Sequence, residues 1–118
     1  MRAKDLLGQQ GEDLAASFLT QAGLVVIQRN WRCKEGEIDI VAADGKALVI
    51  CEVKTRSGVG FGAPIEAISR QKLHRLRRLA VLWIKQTGLI YENVRIDVVG
   101  VLRTGQGEFS IEHLRGVG

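Results

Sequence analysis

A chain of 118 residues and 13.0 kDa can bury one modest core, and its two cysteines, Cys33 and Cys51, are too few for a disulfide framework and lack zinc-site spacing. Hydrophobic residues make up 46% and charged residues 25%, the balance of a soluble globular domain, which argues against a disordered tail, and no apolar run approaches bilayer length. The formal charge is +4, and an excess that small names no partner until its distribution is known. The start, Met1-Arg2-Ala3-Lys4-Asp5, has no apolar stretch of the secretory kind, so a cytoplasmic protein without a membrane anchor is expected.

Gln9 to Ala22 is predicted as a helix, because Leu14, Ala15, Phe18, Leu19 and Ala22 recur at helical spacing and Gly23 suits the position after a helix end. Leu24 to Arg29 is an apolar, largely β-branched run that ends at Asn30 and reads as a strand. Glu37 to Ala43 and Lys46 to Thr55 are two further strands around Asp44-Gly45. That dipeptide signals a two-residue hairpin, since a type I′ turn needs positive φ at both central positions. Gly58, Gly60, Gly62 and Pro64 mark a loop. Ser69 to Gln86 is predicted as a second helix with the apolar stripe Leu73, Leu76, Ala80, Trp83 and Ile84. Val94 to Arg103 and Glu108 to Leu114 are strands joined at Gly105-Gln106-Gly107. The order is α-β-β-β-α-β-β over a single α/β domain, residues 1–118. The helical crossover makes the fourth strand parallel to the earlier sheet.

The hairpin sets a register. With Asp44 and Gly45 as loop residues, Asp39 faces Ile50 and Glu37 faces Glu52. Alternation then puts Glu37, Asp39, Glu52 and Lys54 on one sheet face. Like charges opposed in a sheet are unfavourable, and Glu52 follows the apolar run Ala47-Leu48-Val49-Ile50-Cys51. A carboxylate in such a place must be paired, protonated or bound to a cation. Lys54 can neutralise one acid only. The bland reading is a Glu52–Lys54 salt bridge with a solvated Asp39. The coincidence of acids, hairpin and apolar flanks favours a site for a hard divalent cation, Mg²⁺ or Mn²⁺. Glu12 is a third acid, on the first helix beside Ala15 and Ala16, where small residues allow a close approach to the sheet.

The positive charge is concentrated. Between Ser69 and Thr87 lie Arg70, Lys72, Arg75, Arg77, Arg78 and Lys85 and no acid, so the rest of the chain is acidic by two. Lys72, Arg75 and Arg78 are spaced by three and lie near one helix face. Such a stripe is commonly just solvated surface. Beside a carboxylate cluster, a phosphodiester substrate is the economical reading.

Asp39 followed by Glu52-Val53-Lys54 resembles the split PD-(D/E)xK signature of restriction-endonuclease-like nucleases, and the element order matches their core. Gly11-Glu12, Arg29-Asn30, Gly36-Glu37-Ile38-Asp39, Glu52-Val53-Lys54-Thr55-Arg56 and Arg95-Ile96-Asp97-Val98-Val99 resemble, more closely, the small bacterial YraN family, itself similar to archaeal Holliday-junction resolvases. The resemblance implies metal ligands at Glu12, Asp39 and Glu52, an active-site lysine at Lys54, and a second-helix residue near the site, for which Gln71 and Lys72 compete. Ile38 stands where the signature has proline, and no ligand is lost by it. Glu37 and Asp97 match the family without an assigned role, though a buried arginine partner is one reading of Asp97. The resolvases also imply a possible homodimer, for which the last strand and Trp83 are candidates.

The leading expectation is a metal-dependent DNA endonuclease acting on branched, flapped or single-stranded DNA in repair or recombination, with Arg56, Lys72, Arg75 and Arg78 gripping phosphates and the Gly58 to Gly62 loop moving to admit substrate. The rivals are a non-catalytic DNA-binding module on the same fold and an adaptor whose basic helix binds an acidic protein.

Overall fold

The computed structural model describes residues 3–57 and 68–117; the Gly58, Gly60, Gly62 and Pro64 loop lies outside them. Seven elements follow in the predicted order: α1 (Ala3–Gln21), β1 (Val25–Cys33), β2 (Gly36–Asp44), β3 (Ala47–Ser57), α2 (Arg70–Thr87), β4 (Asn93–Gly105) and β5 (Glu108–Leu114). The strands form one sheet in sequence order, parallel at β3–β4 and antiparallel elsewhere. This is the mixed sheet and element order of a restriction-endonuclease-like core.

A helix covers each face. Ala15 and Leu19 of α1 pack on Ile40, Ala42, Val49, Cys51, Val99 and Val101. Leu76, Leu79, Ala80 and Trp83 of α2 pack on Trp31, Ile38, Val41, Leu48, Ile50 and Ile96. Covered on both sides, β3 has an unbroken apolar run where a half-exposed strand would alternate. The expected α2 stripe therefore gains Leu79, while Leu73 and Ile84 are only partly buried. Ser69 caps α2 by accepting the Lys72 N–H at 3.1 Å, and Gly88, at φ 70°, ends it by donating to the Ile84 carbonyl.

Several boundaries differ from expectation. α1 begins at Ala3 rather than Gln9, because Gly8 is tolerated inside it. β1 runs past Asn30, which takes φ 55°, a left-handed conformation that asparagine adopts more readily than most residues. The strand then buries Trp31, whose indole Nε1 donates to Gln86 Oε1 at 2.9 Å. The hairpin loop is Gly45-Lys46, not Asp44-Gly45, since Asp44 pairs with Ala47. Only Gly45 of the two loop residues has positive φ, as a II′ loop requires, so Asp44 is spared the strained conformation of a I′ turn. Opposed residues shift accordingly: Val41, not Asp39, faces Ile50, and Glu37 does not pair with Glu52.

Trp83 is 1% exposed and its Nε1 donates to Gln28 Oε1 at 2.9 Å, so it is committed to the core of one chain and is not a dimer surface. Asp97, fully buried on β4, is the partner of an arginine. Arg95 donates to it from Nε at 2.9 Å and from Nη2 at 3.0 Å, the Gly116 N–H donates at 3.0 Å, and His113 lies at 2.8 Å. Burial opposes its ionisation, but the bonds from Arg95, Gly116 and His113 outweigh that and hold the carboxyl below the ordinary carboxylate range. Arg95 also donates to Asp44 at 2.8 Å, so one buried network ties β4, β5 and the β2 end.

Candidate metal and phosphate site

The site begins where β2 leaves β3. Their pairing runs from Asp44↔Ala47 to Ile40↔Cys51 and stops, while β3 stays paired with β4 through Ser57↔Arg103. Beyond Cys51 the β2-facing side of β3 has lost its ladder, and the Asp39 carboxylate takes the Val53 N–H at 2.8 Å in place of a backbone carbonyl. Alternation also slips here. Ile38 and Val41 belong to the α2 layer and Ile40 to the α1 layer, so strict two-residue periodicity is broken around Asp39. The expectation that Glu37, Asp39 and Glu52 share one face is therefore corrected. Asp39 opens into a cavity of about 290 Å³ with Glu12, Leu7, Gly8, Val53 and Thr55 on the α1 side. Glu37 lines a cleft on the α2 side.

Glu12 reaches Asp39 because α1 touches β3 at Gly11. A Cβ there would lie 2.0 Å from Thr55 Oγ1 and 2.8 Å from Thr55 Cβ, so the approach needs glycine, and Ala15, one turn on, packs against the same sheet face. Glu12 Oε1 is buried and has no hydrogen-bond partner. Arg29 Nη2 stands 3.7 Å from it, beyond bonding distance, and bonds Asp13 at 2.6 Å instead. Burial, and then the charges of Glu52, Glu12 and Glu37, push the Asp39 pKa up to about 7 against the pull of the Val53 bond.

Glu52, 12% exposed, binds Lys72 Nζ at 3.0 Å. Of the two second-helix candidates it is thus Lys72 that meets the site, while Gln71 is exposed. The Glu52–Lys54 bridge is not formed: Lys54 has no ion-pair partner among the described residues, and it follows Glu52 by two along the strand. Arg56 is exposed further along β3. Arg75 lines the α2-side cleft beside Lys72, whereas Arg78 is bound to Glu35 in the β1–β2 turn. Among the described residues no group of three or more His, Cys, Asp or Glu is drawn together as a ready metal cage. By donor chemistry the three carboxylates suit a hard divalent cation, and Glu12 offers it a buried oxygen that has no hydrogen bond of its own.

Residues 11–101 match the model of "Uncharacterised protein family UPF0102". The chain belongs to the UPF0102 family. Its similarity to individual members runs end to end. It is 56% identical over 118 residues to a UPF0102 protein of Arthrobacter sp. (strain FB24) and to one of Beutenbergia cavernae, covering 100% of each chain, and 55% identical to one of Streptomyces griseus, covering 99% of both. The span matched to UPF0102 runs from Gly11, the contact that seats Glu12, through Asp39, Glu52, Lys54 and α2 to Val101 within the Asp97 strand. The roles of Gly11 and Leu79 were missed from sequence. The signal for Gly11 was available in outline, as a glycine one residue before an acid inside a helix, where it costs stability unless something packs against it.

Proposed function

We propose that the protein is a divalent-metal-dependent nuclease that hydrolyses phosphodiesters in DNA of branched, flapped or single-stranded structure. The observation that carries this reading is the arrangement around Asp39. Carboxylates from α1, β2 and β3 border the gap between β2 and β3, with an unsatisfied buried oxygen on Glu12 and the Asp39 pKa raised to about 7. Glu12, Asp39 and Glu52 would hold the ion, which when bound supplies positive charge to a phosphoryl oxygen and acidifies water. Lys54 stands on the same strand, two residues from Glu52, to orient the attacking water or to face charge on phosphorus. Lys72, released from Glu52, and Arg75 hold flanking phosphate without reading bases. The basic face of α2 brings the backbone to this gap.

The test is cleavage of branched, flapped and single-stranded DNA with Mg²⁺ or Mn²⁺. Wild type should cut and Glu52→Ala should not; equal background in both would sink the enzyme reading. A non-catalytic DNA-binding module is the second reading, favoured by the Lys72 ammonium already seated on Glu52. It expects salt-sensitive DNA binding that survives chelation and the loss of Asp39.

A further inference from the structure

Glu52 is held apart from the other two carboxylates. Ile50 packs in the α2 layer and Cys51 in the α1 layer, so alternation puts Glu52 on the α2 side, where it meets Lys72. Glu12 and Asp39 share the cavity on the α1 side, and Glu52 is not in its walls. The separation is small, since the Glu52 charge helps to raise the Asp39 pKa. The β2 ladder on β3 ends at Cys51, so the Glu52 carboxylate borders the open gap, and the Lys72 ammonium, 3.0 Å away, ties it to the α2 side. Lys72 is the third residue of α2, at the positive end of the helix dipole, in a first turn that has Arg70 and no acid. Glu52 is thus the acid that answers a cationic helix start. The partners are unequally placed. Lys72 is 39% exposed and can be reached from solvent, whereas Glu52, at 12%, gives up one cation only in exchange for another.

We infer that the Lys72–Glu52 pair is an autoinhibitory latch, which withholds the third carboxylate from the divalent-cation site until a DNA phosphate takes Lys72. The inference rests on the nuclease reading and adds its regulation. Closed, the pair leaves Glu12 and Asp39 as an incomplete ligand set and leaves Lys72 unable to serve phosphate. Opened, it releases both groups together. Glu52 turns to the gap, and the Lys72 ammonium, on a flexible four-carbon stem, meets an anion at the start of α2, where the helix dipole favours one. Each ligand removes the partner that blocks the other, so DNA and the cation raise one another's affinity by the same factor. The ammonium seated on Glu52 then describes a resting state in which hydrolysis waits for substrate.

The two halves of the latch can be tested separately. The full chain is titrated with Mn²⁺ alone, the free ion being followed by electron paramagnetic resonance. Lys72→Met, which keeps the stem without its charge, should bind Mn²⁺ about tenfold more tightly than the wild type. Arg75→Met removes a neighbouring cation that is not paired with Glu52, and should gain less than about twofold. In chelator, Glu52→Gln should tighten binding of a labelled branched DNA about tenfold by freeing Lys72, and should change it less than about twofold when Lys72→Met is also present. Unchanged Mn²⁺ affinity in Lys72→Met, or an equal gain in Arg75→Met, overturns the latch. So does a Glu52→Gln effect on DNA that persists without Lys72, since a change of field alone needs no pair. Cleavage by the wild type in Mn²⁺ without these couplings would remove the latch alone. The couplings without cleavage would remove the nuclease reading alone.

Discussion

Asp39 is the residue whose state governs the site. Its carboxyl is raised from 3.8 to about 7, with burial as the first cause. The folded protein therefore keeps a proton that the unfolded chain gives up above pH 3.8. That contribution to stability is whole below 3.8 and is lost as the pH rises through about 7. In chelator, the Tm of the wild type should fall between about pH 5 and about pH 8. Asp39→Asn cannot ionise and can still accept the Val53 N–H. It should flatten this slope and exceed the wild type at the alkaline end. The same slope in both proteins, followed by circular dichroism, would remove Asp39 as its source. Asp97 works in the opposite direction, because its partners hold it ionised. Its share of stability is present above the unfolded carboxylate range and is lost as the pH falls through its own lowered value. The two carboxylates thus differ, one half-buried with its pKa raised to about 7, the other fully buried, charged and partnered within the chain.

At the scale of elements, the two glycines of α1 separate helix propensity from packing. Gly8 has open space around its Cβ position and Gly11 has Thr55. Gly8→Ala should stabilise by up to about 1 kcal/mol, the propensity difference alone. Gly11→Ala gains the same propensity yet must push α1 off β3, so a net loss of about 1–3 kcal/mol is expected. Urea midpoints decide it, and two variants that stabilise equally would refute the close approach. The contrast also marks what the sequence can disclose. The elements and their order were legible, because periodicity, the hairpin glycine and the caps of α2 are local signals. The hairpin register was misread by two residues, which left alternating residues on their faces, whereas a slip of one would have exchanged them. The slip that mattered lay elsewhere, in the broken alternation of β2 around Asp39, and no local pattern announces it. Likewise the Gly11–Thr55 contact and the Lys72–Glu52 pair join residues far apart in the chain, and only packing brings them together. Asp39 and Glu52 could still be named in advance, since acids beside an apolar strand are costly enough to stand out wherever their exact register falls, whereas Glu12, on α1, was named through the family resemblance.

For the whole molecule the relevant quantity is where the charge sits. The net +4 resolves into a basic α2 and an otherwise slightly acidic chain, and α2 lies across one sheet face beside the carboxylate gap. Its cations are not equivalent. Arg78 is paired with Glu35, which raises its pKa by the hydrogen bond first and the charge second, on a pair that is exposed and screened by water. Arg75 stands in the cleft wall next to Lys72 with no acid bound to it among the described residues. If DNA lies along this face, each phosphate contact releases counterions, and the logarithm of affinity falls linearly with the logarithm of salt concentration. Arg75→Ala should reduce that slope by about 1 as well as weaken binding. Arg78→Ala should change the slope by less, because it removes a cation already paired and leaves Glu35 unopposed at the edge of the face. Fluorescence anisotropy of a labelled branched DNA over a salt series, in chelator, measures both. Equal changes in slope would mean that the DNA reads α2 as a uniform stripe and that the Glu35 pairing opens on binding. A larger change for Arg78 would move the nucleic-acid face away from the cleft and the carboxylate gap altogether.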